Sequence, residues 1–84
     1  MMAETNPIIR VTPGTPVYER DGSKIGKVGE VRGQAFRVET GLFQRDYWLG
    51  ADSIDSAVAG NGVMLSVAKA DIGAHKIPEP ARAA

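Results

Sequence analysis

Three aspartates, Asp46, Asp52 and Asp55, fall within ten positions, and the one histidine, His75, lies near the end of the chain. Carboxylates this close in sequence could exchange a proton with a substrate or hold a divalent cation. Both tasks need enclosure and usually a His or a third ligand. His75 has no companion at metal-ligand spacing and reads as a solvated residue of a tail. Asp52 and Ser53 read instead as caps on a turn leading into Ile54. Ser and Thr without a second His or a paired Cys make no nucleophile–base set. The sequence therefore assigns no catalytic residue, no metal ligand and no cofactor site.

A second stretch with chemical potential is YERDGSKIGKVGEV, residues 18–31. A calcium loop of the EF-hand type needs oxygen ligands at positions one, three, five and twelve, with Gly at six. Setting Gly22 at six puts Val17 at one and Val28 at twelve; setting Gly26 there gives Ile25 at five and Arg32 at twelve. Neither register works. GSKIGK also fails as a phosphate loop, because its glycines are too close and Val28 follows the lysine. A hairpin accounts for every residue: Asp21-Gly22 turns the chain, Ser23 and Lys24 are solvated, and Ile25, Val28 and Val31 point inward. Ile25 and Val28 can share a face only if an extra residue is accommodated, so Gly26 marks a bulge.

The elements that carry these residues are short strands. Eighty-four residues make one small core and bury only roughly 60–65% of the unfolded surface. Ten basic residues balance ten acidic ones, six against five in residues 1–42 and four against five in 43–84, so neither half is a phosphate-binding footprint. The chain has no Cys, which excludes disulfides and thiolate metal sites. No run reaches the length of a membrane span, and the start has no apolar leader segment. A soluble cytoplasmic protein is expected. Period-two alternation with Gly punctuation predicts strands near 16–20, 25–32, 34–40, 46–50, 54–60 and 63–68, with helical turns only at 51–53 and 69–72. This is an all-β fold, a small antiparallel barrel of about six short strands with at most one short helical turn near the C-terminus. Its expected limits are a flexible N-terminal arm over 1–14, a domain over 15–72 and a flexible C-terminal tail over 73–84.

Two finer expectations follow from pattern. In IDSAVAGNGVMLSV a two-residue Asn61-Gly62 turn pairs Gly60 with Val63, Val58 with Leu65 and Ser56 with Val67, with positive φ at Gly62. Ile54, Val58, Val63, Leu65 and Val67 then share the inner face. In DYWLGAD, Tyr47 and Leu49 point inward and Trp48 outward. An exposed Trp48 beside Leu42, Phe43 and Arg45 would form an apolar patch with a cationic rim, the candidate surface for a homodimer or a protein partner. The competing expectation is that the C-terminal tail folds back over Trp48. Arg37, Arg45, Tyr47 and Trp48 are residue types that could make a single-strand nucleic-acid surface, but the zero net charge favours a core aromatic and solvated arginines.

The run PGTPVYERDGSKIGKVGEV, then a Phe-Arg-Val strand, RDYWL and VMLSVAKADI, resembles the PRC-barrel superfamily, and within it a group of short, stand-alone bacterial proteins. The resemblance covers Thr15 to Ile72 and rests on structural positions of the first hairpin. It implies a docking module rather than an enzyme, as in the cytoplasmic part of the photosynthetic reaction centre H subunit and the C-terminal domain of a ribosome maturation factor. This chain lacks the membrane helix of the first and the preceding domain of the second. It also has Leu49-Gly50 where such proteins often turn with a Pro. No binding residue is carried over. The reading is a non-catalytic interaction or assembly module that binds no cofactor, self-associating or docking a protein. The alternatives are a ribosome- or RNA-associated accessory protein and, less favoured, a small metal-dependent enzyme.

Overall fold

A computed structural model describes residues 11–41, 45–58 and 61–80. Seven strands lie among them: β1 (Pro16–Tyr18), β2 (Lys24–Arg32), β3 (Ala35–Glu39), β4 (Tyr47–Gly50), β5 (Ile54–Val58), β6 (Gly62–Leu65) and β7 (Lys76–Ile77). One short helix, α1 (Ile72–His75), follows a 3-10 turn at Lys69–Asp71, and a second 3-10 turn fills Ala51–Ser53. The strands make one curled, half-barrel sheet in the order β5-β6-β1-β2-β3-β4-β7. The all-β fold with one short C-terminal helix is thus the one expected. The sheet is mixed, because β1 runs parallel to β6 and antiparallel to β2.

Strand β2 is the spine, and two bulges give it its curl. Val17 faces Gly26 while Tyr18 faces Lys24, so Ile25 is the extra residue of the first bulge, beside the expected Gly26. Val28 faces Val38 while Glu30 faces Arg37, which makes Gly29 extra in the second. Each bulge advances the inward phase by one residue, so Ile25, Val28 and Val31 pack to the core at a spacing of three. The turn between β1 and β2 has Gly22 at φ +97°, as Asp21-Gly22 requires. Between β2 and β3, Gly33 at φ +62° takes the first central position of a two-residue loop, the place for Gly in a type II′ hairpin.

Phe36, Leu49, Leu65, Val17, Val28, Val38 and Val63 are the largest fully buried side chains. Phe36 pairs with Leu49 and Val38 with Tyr47 across β3 and β4, so antiparallel neighbours stack on one face. Burying a Phe or Leu of this kind contributes roughly 1.5–3 kcal/mol. Val67 and Ile72 close the cluster.

Several expectations are corrected. In the β5–β6 hairpin Val58 faces Gly62, Ala57 faces Val63 and Ile54 faces Leu65. A bulge at Asp55 shifts the phase, so Ala57 is buried and Val58 is exposed. Gly62 is not among the positive-φ glycines; it begins β6 against the Tyr18 ring, where a Cβ would come within 2.9 Å of Cε2. Asp52 makes no side-chain capping bond on the 51–53 turn, whose N-cap is Gly50. Ser53 serves through its carbonyl, which accepts the Ser66 N–H at 2.9 Å.

The domain limits shift at both ends. Val11 is buried in the core, and the Gly14 N–H donates to the Val28 carbonyl at 2.7 Å, so the described part of 1–14 is not an arm. Residues 73–80 are not a tail: they continue through α1 into β7, which pairs with β4. The reason is an open edge on β4 beside an apolar Trp48, and both need a partner.

Candidate functional site

On the outer face of the sheet, the face that alternation assigns to every second residue, β2, β3 and β4 bring Glu30, Arg37 and Trp48 into one row. Beside it lie Arg32 and Ala35. Arg32 Nη2 donates to Glu30 Oε2 at 2.7 Å, and its Nη1 donates to Glu79 Oε2 at 3.1 Å and to the Pro80 carbonyl. These carboxylates hold Arg32 still more firmly in its charged form, the hydrogen bond to Glu30 foremost. Its guanidinium lies 4.8 Å from the centre of the Trp48 ring, a cation–π contact. Arg37 pairs with Glu39 at 3.1 Å and Glu30 at 3.4 Å. Its buried Nε has no hydrogen-bond partner, and Asp46 Oδ2 at 3.9 Å is too far for one.

Trp48 therefore points outward, as expected, but is only 6% exposed. Arg32 covers its ring and Ile77 of β7 sits opposite it. The expected exposed patch is corrected on this point, and the folded-back C-terminal segment is the arrangement found. Of the other members, Leu42 and Phe43 lie outside the described residues. Arg45 is exposed, and its carbonyl accepts the Thr40 hydroxyl at 3.4 Å. Leu49 is fully buried and Tyr47 half-buried on the inner face.

The three aspartates do not converge: Asp46 serves Arg37, Asp52 lies in the 51–53 turn and Asp55 is on β5. Among the described residues no group of three or more His, Cys, Asp or Glu is placed to hold a metal ion. His75 is exposed at the end of α1.

What sequence reasoning missed is that the folded-back segment, residues 76–80, pairs as a strap on β4, and the groove it creates. Ile77, Pro78, Glu79 and Pro80 face the β2–β3 turn across an open, mostly apolar groove of about 650 Å³, with Arg32 and Ala35 on the opposite wall. Ile77 is 38% exposed. The signal was present in HKIPEP, a β-branched residue followed at once by Pro, which fits a strand confined to a sheet edge. Comparison of the chain with protein-family models, with curated proteins and with solved structures finds no match in any of the three.

Proposed function

We propose that this chain is a non-catalytic docking module of the PRC-barrel kind, which binds a protein partner through the groove beside the C-terminal strap. The occupant we favour is a second copy of the chain. The observation that carries this is the groove's composition. Its centre is apolar, from Ile77, Pro78 and Ala35, and its rim holds one cation and one anion, Arg32 and Glu79. An apolar centre within a polar rim is the anatomy of an interface. The two rim charges are paired with each other at 3.1 Å, so the rim presents no net charge to oppose the same face of a second copy across a two-fold axis. Edge-to-edge pairing is less favoured as the contact: β5 carries a bulge and Asp55, and β7 is two residues long before Pro78. Of the arginines that an RNA reading would use, Arg32, Arg37 and Arg45, the first two are already held by carboxylates. Among the described residues no helix is long and apolar enough to cross a membrane. The absence of Cys suits a reducing compartment, and we place the protein in the cytoplasm.

Sedimentation equilibrium over a range of concentrations tests the reading. The wild type should dimerise, and Ile77→Glu should give a folded monomer. A wild type that stays monomeric up to about 1 mM, the weak limit of a specific contact, defeats the self-association. A dimer untouched by Ile77→Glu places the interface elsewhere.

A further inference from the structure

Every ion pair among the described residues belongs to Arg32 or Arg37. The lysines are left over, and the fold gathers three of them. Lys24 at the start of β2, Lys69 in the turn before α1 and Lys76 in β7 line one cleft of about 380 Å³, with Tyr47, Ile72 and Thr40 between them. No carboxylate lines it. Lys76 Nζ lies 4.5 Å from the centre of the Tyr47 ring. Lys24 is far in sequence from Lys69 and Lys76, so only the curl of the sheet and the return of the strap bring it to them.

The cleft is thus lined by three cationic side chains and by no carboxylate, an arrangement that favours an anion between them. Glu39 and Asp46 line the adjoining cleft, which shares Lys24 and Thr40 with this one, so the positive excess lies toward Lys69 and Lys76. A single carboxylate would leave part of it standing. A phosphate monoester carries about −1.5 to −2 at neutral pH, and ammonium groups serve it as point charges. The floor of Ile72 and Tyr47 offers apolar contact to whatever bears the phosphate, and the volume lies within the roughly 300–1,000 Å³ of small-molecule sites. Burial pushes the Tyr47 phenol up, further from ionising, so it adds no negative charge to the cleft.

We propose that this cleft binds a phosphate monoester with a compact apolar body. The probe is phenyl phosphate, followed by titration calorimetry and by amide NMR shifts. Saturable one-site binding should move the amides of Thr40, Ile72 and Gly73, and inorganic phosphate should bind more weakly. The pair Lys69→Met/Lys76→Met should weaken binding at least about tenfold. Lys27→Met/Arg45→Met, which removes the same charge outside the cleft, should leave it within about twofold. Lys24→Met serves as an independent variant should the first pair fail to fold. Vesicles of phosphatidylcholine with phosphatidic acid form a second arm. Vesicle binding that needs the same lysines assigns the phosphate to a lipid headgroup, and phenyl phosphate binding without it assigns a soluble ligand. Binding by neither probe overturns the proposal, as does equal loss in the control pair. Inorganic phosphate binding as tightly as phenyl phosphate overturns its apolar half.

Discussion

At the scale of single residues, Gly26 and Gly29 look alike in sequence, yet the structure makes them unequal. A Cβ on Gly26 would strike the Glu39 carbonyl oxygen and come within 3.1 Å of Val38 Cγ1. Backbone cannot swing aside, so Gly26→Ala should lose about 1–3 kcal/mol, read as a fall in urea midpoint at constant m-value. A Cβ on Gly29 meets only the Glu39 side chain, so Gly29→Ala should cost less. Glu19 is only 4% exposed, and its Oε1 accepts the Asp21 N–H at 2.8 Å across the first turn. That hydrogen bond, the leading cause, lowers its pKa below the ordinary carboxylate value. A depressed pKa stabilises the fold above the unfolded value, and the stabilisation disappears as pH falls through the folded one. Glu19→Gln should therefore melt below wild type at neutral pH, and the gap should close in acid. Thermal melts across pH 7 to about 2 would show it.

At the scale of elements, the strap is the part whose removal has the clearest consequence. Ending the chain after His75 would take away the β4–β7 pairing, the cover on Trp48 and two of the acceptors of Arg32, Glu79 and the Pro80 carbonyl. Uncovering much of an indole costs on the order of 2 kcal/mol. The truncated chain should melt lower, its Trp emission should shift to the red, and a soluble quencher should reach it. Unchanged emission would mean that Arg32 alone shields the ring. The strap and the lysine cleft share Lys76, so this truncation should weaken phenyl phosphate binding as well.

At the scale of the whole molecule, the sheet is most secure at its centre and least at its ends. β2 has hydrogen-bonded neighbours on both sides, while β5 and β7 have one each. Amides of β2 and β3 should exchange slowest with deuterium, near the global unfolding limit, and those of β5 and β7 fastest. Protection in β5 equal to that in β2 at high protein concentration, lost on dilution, would point to a second copy on that edge instead of in the groove. Charge follows a similar division. The outer face neutralises itself, arginine against carboxylate, and the cleft does not.

The amino-acid sequence alone determined the class of fold and most of the strands, because period-two alternation and Gly-marked turns are local and act through the nearest neighbours in the chain. It also placed the Asp21-Gly22 turn, the first bulge, and the inward direction of Leu49 and Tyr47. It misjudged the β5–β6 register, since the strands already meet at Val58 and Gly62, which takes Gly62 out of the assumed two-residue turn, and the bulge at Asp55 then shifts the pairing by one more residue. It took the C-terminal residues for a tail because Lys76-Ile77 is too short to form a strand without the edge of β4 to pair with. The burial of Trp48, the groove and the three-lysine cleft were decided only by tertiary structure. Each depends on residues dozens of positions apart, and a sequence pattern registers neighbours along the chain but not groups joined by the curl of a sheet.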